Sequence, residues 1–283
     1  MKALAQFAMS GRRQAILAAL ILGLLPVFNF LSAPVVALVA LRHGRGETLV
    51  VLLWAVLPAL GWFVLGDLMP LMTLLGTVLL ALILRGTGSW QFTLLASVGV
   101  GMLALFGFSQ QTEMFTLLET QFTQSAEQVI NSPEFQGQLN IPGPERLHEL
   151  MLMAFASSAT AMTLALLMLA RSWQAKLYNP GGFREEFHAL RLDWRLSSVL
   201  FVLYLLSDLG VPVLLQMKLL FVLPLMIAGV ALVHGLVGRR KLPVSILVIF
   251  YSVMLFPAML QLLVLAALAD SWFDFRSKVP ARD

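Results

Sequence analysis

The sequence lacks cysteine and carries none of the short motifs on which common enzyme classes depend. With no cysteine among 283 residues, disulfides, thiolate metal sites and cysteine nucleophiles are excluded. Four histidines are scattered over predicted loops and helix ends, so we predict neither a metal site nor a cofactor. No phosphate-binding glycine loop, His-Glu-x-x-His motif or Gly-x-Ser-x-Gly elbow occurs. We therefore expect a protein that is not an enzyme.

Charge is also scarce, at 12% of the residues, whereas 59% are hydrophobic and the mean hydropathy is +0.86. A water-soluble fold has nowhere to bury so much apolar surface. The formal net charge is +4. Because the basic residues stand at the ends of apolar runs and not on one polar face, they indicate membrane topology. We predict a lipid bilayer as the partner of this chain, and no nucleic acid.

Long apolar runs recur along the chain and predict membrane-spanning helices. A helix that crosses a hydrocarbon core of about 30 Å needs about 20 residues. Such runs occupy residues 49–65, 68–84, 92–108, 150–170, 197–215, 219–237 and 245–267, besides the longer run 15–41. The predicted fold class is an all-α, polytopic transmembrane helical bundle of about eight spans. We expect one integral membrane domain over residues 1–283.

The first apolar run is interrupted by Pro26, Asn29 and Pro34. If the basic residues at both of its ends face the cytoplasm, the run must enter and leave on the same side, as two short helices forming a re-entrant hairpin. The alternative is one long, tilted or kinked helix that disobeys the charge rule locally. The distribution of basic residues over the loops predicts a cytoplasmic N-terminus in either arrangement.

Two polar segments connect the predicted spans. Residues 109–147 are acidic and form a predicted extracytoplasmic loop, which begins with a possible amphipathic helix and loosens near Pro133. It is either a lid over the outer mouth or a solvated connector. Residues 171–196 are basic and form a predicted cytoplasmic loop. Four apolar residues at helical spacing predict an interfacial amphipathic helix in this loop: Phe183, Phe187, Leu190 and Trp194.

Polar residues at membrane depth are candidates for substrate binding, because burying them in lipid is costly. The candidates are Asn29, Asp208, Gln216 and Gln261. Each has a structural alternative. Asp208 can pair with Lys218 or reach water at the interface, the Asn29 amide can satisfy backbone freed by the helix break, and Gln261 can bond a neighbouring helix.

Several features together resemble the YybS-like family of bacterial multi-pass membrane proteins. These are the broken opening segment, the interfacial stretch from Phe183 to Trp194, and the closing run Asp-Ser-Trp-Phe-Asp-Phe-Arg that ends at Arg276. That family is in turn similar to the S components of energy-coupling-factor transporters and, more remotely, to MreD-type proteins. The resemblance implies that Ala15, Ala19 and Gly23 form a small-residue stripe that docks on a coupling subunit, with an ATPase as the further partner.

Two functions are consistent with these observations. The first is a transport-type component that binds a small molecule and depends on partner proteins for energy. The second is a membrane scaffold for envelope growth or division, which would recruit partners through residues 171–195. A pocket of about 300 Å³ or more that is lined by the candidate polar residues favours the first. Either protein is expected in a bacterial inner membrane.

Overall fold

The computed structural model describes residues 2–130, 132 and 142–279, and these residues are helical with no strand among them. The predicted all-α class is therefore confirmed. The helices follow in this order: α1 (Lys2–Met9), α2 (Arg12–Leu24), a 3-10 turn (Asn29–Leu31), α3 (Ser32–His43), α4 (Arg45–Val64), α5 (Met69–Thr87), α6 (Trp90–Ser109), α7 (Thr112–Ile130), α8 (Pro144–Tyr178), α9 (Gly182–Ala189), α10 (Trp194–Leu206), α11 (Pro212–Arg239), α12 (Ser245–Val253), α13 (Pro257–Phe273) and α14 (Phe275–Lys278).

Five of the described helices, α4, α5, α6, α8 and α11, are long and apolar enough to cross a bilayer. A sixth span results if α12 and α13 are counted together, although they meet at an angle of 114°. A chain with these helices is a multi-pass membrane protein. The predicted count of about eight spans is not confirmed.

The missing spans have local explanations. The predicted span 197–215 is divided, because α10 has 13 residues and ends before Gly210, whose φ of +84° turns the chain ahead of Pro212. The first apolar run is likewise two helices, α2 with 13 residues and α3 with 12. Each is about 20 Å long at about 1.5 Å per residue, which is shorter than a hydrocarbon core.

The helices α2 and α3 form a hairpin. They pack against each other and against α4. The Arg12 guanidinium donates to Glu47 of α4 from Nε at 2.7 Å, which places the start of α2 beside the end of α3. The chain therefore enters and leaves this segment at the same end of the molecule, as the hairpin prediction required.

Basic residues collect at that end of the bundle, where α2, α4 and α6 begin and α3, α5 and α8 end; we refer to it as the basic end. The Arg85 Nη1 donates to the Leu41 carbonyl at 2.9 Å. The Arg42 guanidinium carbon lies 4.2 Å from the centre of the Tyr178 ring. The Arg276 Nη1 donates to the His188 carbonyl at 2.6 Å, which places α14 at the basic end too. Such an asymmetry of arginine is typical of a cytoplasmic face.

Small residues allow the central helices to pack closely. A Cβ atom on Gly76 of α5 would stand 2.8 Å from a Val100 methyl group of α6. A Cβ atom on Gly101 of α6 would stand 2.5 Å from Leu220 of α11. These approaches are the small-residue contacts expected between helices in lipid, where apolar burial alone does not drive helix association.

The two polar segments are more helical than predicted. The acidic segment contains α7, whose Glu119 Oε1 lies 2.6 Å from Nδ1 of His148 in α8. Pro133 lies outside the described residues. In the basic segment, α8 continues to Tyr178. The helix predicted to be interfacial, α9, ends at Ala189, since Leu190 has an extended backbone conformation. Phe183 and Phe187 therefore lie on the helix, whereas Leu190 is buried beyond it and Trp194 begins α10.

Candidate functional site

A groove of about 390 Å³ lies between α10, α11 and α13, beside the break that precedes Pro257. Its walls are largely apolar and its polar members are few, as is usual in small-molecule sites. The lining residues are Phe201, Tyr204, Lys218, Leu219, Val222, Met226, Pro257, Leu260, Gln261, Val264 and Leu265.

The polar side of the groove is organised around Lys218. Its Nζ lies 2.6 Å and 2.7 Å from the two carboxylate oxygens of Asp208, and 5.2 Å from the centre of the Tyr204 ring. The Lys218 side chain is 22% exposed, while that of Asp208 is 59% exposed. The pair predicted from the sequence is thus formed, with the carboxylate toward the outside and the ammonium group on the groove.

The four candidate binding residues do not converge on one cavity. Gln261 lines the groove, and Asp208 reaches it through Lys218. Gln216 lines a separate, more open depression with Glu119, at the start of α8. Asn29 lies in the 3-10 turn of the hairpin, where its carbonyl accepts a hydrogen bond from Ser32 Oγ at 2.8 Å.

The stripe Ala15, Ala19 and Gly23 is buried inside the chain. A Cβ atom on Gly23 would stand 3.0 Å from Pro58 of α4, and the Gly23 carbonyl accepts a hydrogen bond from Trp62 Nε1 at 2.8 Å. The stripe therefore packs against α4 of the same molecule, which already covers the surface that a coupling subunit would need.

A second and larger cavity, of about 910 Å³, opens at the basic end between α9, α11 and the turn after α13. We refer to it as the basic cavity. Four arginines and two carboxylates line it, together with small residues and one histidine. The lining residues are Gly181, Arg184, Glu185, His188, Ala189, Arg191, Gly235, Gly238, Arg239, Asp274, Arg276 and Ser277.

The wall of the basic cavity is held by a buried ion pair. Asp270 is 2% exposed, and its Oδ2 lies 3.3 Å from Nε of Arg276, whose side chain is 11% exposed. The other oxygen of Asp270 accepts the backbone N–H of Phe275 at 2.9 Å. Within the described residues, Nε and Nη2 of Arg276 are both buried without a hydrogen-bond partner. The pair orients Arg276 and leaves part of its donor capacity unused.

Close contact between helices fixes His188 at the other wall. A Cβ atom on Gly235 would stand 2.8 Å from the His188 carbonyl oxygen, and one on Gly238 would stand 2.6 Å from the His188 ring. Burial lowers the pKa of His188 below its ordinary value of 6.5, and the positive charge of Arg184 lowers it further, with smaller contributions from His234 and Arg276. The imidazole is therefore neutral at neutral pH.

No local pattern in the sequence predicts the basic cavity. Arg184, Arg239 and Arg276 come from three separate segments: the polar segment 171–196, the end of an apolar run, and the closing run of the chain. Asp270 belongs to the closing run on which the family resemblance rests. This run is the sequence signal that could have drawn attention to Asp270. Among residues 2–130, 132 and 142–279, no three histidine, aspartate or glutamate side chains are grouped to hold a metal ion.

No family model, curated protein or solved structure matches this chain.

Proposed function

We propose that the chain is a non-enzymatic, transport-type membrane component that binds a small molecule in the groove between α10, α11 and α13. The observation that carries this proposal is the position of the groove, which adjoins a break in an apolar helix pair. Discontinuous membrane helices commonly form binding sites, because unwound backbone and helix ends at membrane depth offer donors and acceptors to a ligand. The volume of about 390 Å³ also suits a small ligand.

The lining predicts the chemistry of that ligand. Apolar walls favour a molecule with an apolar body. Lys218, Tyr204 and Gln261 can donate hydrogen bonds at the polar side of the groove, so the ligand should carry a carbonyl or carboxylate oxygen there. We infer an amphipathic small molecule.

Partner proteins are part of the proposal. The helix α12 is strongly apolar and has no buried residue. Exposed apolar surface next to a site suits contact with another membrane protein as well as with lipid. The exposed α12 equally supports the second candidate, a scaffold that assembles other membrane proteins. On the resemblance to the YybS-like family and to S components, we propose a coupling subunit and an ATPase as partners, with the exposed α12 in place of the covered stripe as the contact surface. The proposed location is a bacterial inner membrane with the basic end cytoplasmic.

Affinity purification in mild detergent, with mass spectrometry of co-purifying proteins and extractable small molecules, tests the proposal. Leu260→Trp fills the groove, and Leu262→Trp is the matched control, because Leu262 lies on the same helix, is 56% exposed and does not line the groove. We expect one enriched solute with the wild type and with Leu262→Trp, and its loss with Leu260→Trp. Capture of envelope or division proteins without any solute would instead support the scaffold.

A further inference from the structure

We propose that the basic cavity binds a phosphate group, carried either by a phospholipid headgroup or by a soluble phosphate. This site is separate from the groove and does not depend on the transport function. Four arginines line it against two carboxylates, Glu185 and Asp274. Within the described residues, Arg191 pairs with Asp274 at 3.2 Å, whereas Arg184 and Arg239 have no carboxylate within ion-pair distance. The cavity therefore carries an excess of positive charge.

Arg276 is the second observation that points to an anionic ligand. Its Nη1 donates to the His188 carbonyl, and its Nε lies 3.3 Å from Asp270 Oδ2 as an ion pair. The remaining nitrogen, Nη2, is buried without an acceptor among the described residues. A buried donor that has no acceptor costs free energy. An anion that drew the Arg276 side chain toward the cavity would supply an acceptor for it.

Arginine suits phosphate better than it suits a monatomic anion. Its planar fork of N–H groups matches two phosphate oxygens at once, and such bidentate contacts are strong. A cavity of about 910 Å³ has room for a phosphate together with the group that carries it. A chloride ion would leave most of this space to water.

The location fits a lipid headgroup. The cavity opens where α9 and α11 end, and its lining residues Arg191 and Asp274 come shortly before Trp194 and just after Trp272 in the sequence, two residues whose ring centres are 4.8 Å apart. Tryptophan gathers at the interface between hydrocarbon and water. Basic pockets between helices on the cytoplasmic side are suited to anionic headgroups. The same arginines can also receive a soluble phosphate from the aqueous side, so the experiment has an arm for each source.

The variants compare arginines inside and outside the cavity. Arg184→Gln and Arg239→Gln each remove one exposed arginine of the lining. Arg240→Gln is the matched control, because Arg240 is the next residue, is also exposed and does not line the cavity. All three variants lose one positive charge.

In the first arm, each protein is reconstituted into vesicles of phosphatidylcholine with a minor fraction of phosphatidylglycerol and re-extracted in mild detergent, and the retained lipid is quantified. In the second arm, inorganic phosphate is titrated onto the detergent-solubilised protein, with chloride at equal ionic strength as the reference, and the melting temperature is followed. For the ligand that binds, we expect Arg184→Gln and Arg239→Gln to weaken binding about tenfold and Arg240→Gln to leave it unchanged.

The two arms separate the sources. Enrichment of phosphatidylglycerol without a response to phosphate supports the site with a lipid ligand. A response to phosphate without enrichment supports it with a soluble ligand. The proposal is overturned if the wild type binds neither, or if Arg240→Gln loses as much as Arg239→Gln, since the effect is then one of net charge and not of the cavity.

Discussion

The close approach of α9 to α11 makes Gly235→Ala the sharpest test of how the basic end is built. The added Cβ atom would stand 2.8 Å from the carbonyl oxygen of His188, whereas ordinary contact begins at 3.4 Å. The obstacle is backbone and cannot rotate away, so α9 must move outward by about 0.6 Å.

Two costs and one gain determine the size of the effect. Forced repacking costs about 1–3 kcal/mol. The same carbonyl accepts Nη1 of Arg276 at 2.6 Å, and weakening a hydrogen bond to a charged group costs about 1.5–3 kcal/mol. Replacing glycine by alanine inside a helix stabilises the helix by about 1 kcal/mol. We expect a net loss of about 1.5–5 kcal/mol in the free energy of unfolding.

The measurement is reversible unfolding in mixed micelles, followed by tryptophan fluorescence. Gly99→Ala is the control, because Gly99 is also helical and a Cβ atom there meets nothing within 4 Å. It should be neutral or slightly stabilising. Equal stability of the two variants would refute the packing of α9 on α11 described above.

Three further perturbations test other contacts. Arg276→Met should destabilise the fold by about 3–5 kcal/mol, because Asp270 is left buried and unpaired, and the double variant with Asp270→Leu should recover much of that loss in the same unfolding assay. Ser197 and Ser271 share a buried hydrogen bond of 2.5 Å between their Oγ atoms; each single alanine variant should cost about 1 kcal/mol and the double variant less than the sum, as a double-mutant cycle would show. The lowered pKa of His188 means that the unfolded chain binds a proton more readily than the folded one, so the melting temperature should fall as the pH decreases below 6.5, and His188→Gln should flatten that dependence. An unchanged pH profile in His188→Gln would contradict the burial of this imidazole.

The sequence predicted those parts of the fold that depend on local pattern. Continuous apolar runs predicted α4, α5, α6, α8 and α11. In lipid, a single apolar segment satisfies its own backbone hydrogen bonds only as a helix. The break at Pro26 was visible for the same reason, since proline interrupts the helical hydrogen bonds.

Features that depend on distant residues were not predicted. Pro257 raised the same doubt about the predicted span 245–267 as the prolines of the first run, but a proline alone does not determine the angle of 114° that α12 and α13 make. The convergence of Arg184, Arg239 and Arg276 joins segments that are far apart in sequence. The scattering of Asn29 and Gln216 away from the groove has the same cause, because no local pattern determines which helices become neighbours.

The hairpin of α2 and α3 couples this protein to the thickness of its bilayer. Its tip is apolar and exposed. The backbone groups of the tip form hydrogen bonds with one another: Phe28 N–H donates to the Leu25 carbonyl at 3.1 Å, and Leu31 N–H donates to the Phe28 carbonyl at 2.9 Å. Such a tip can end within hydrocarbon and needs no water. Longer acyl chains would then stretch the leaflets along the full spans while the hairpin stayed anchored to one leaflet. Hydrophobic mismatch would thus strain the contacts that hold the hairpin to α4, such as the hydrogen bond from Trp62 Nε1 to the Gly23 carbonyl.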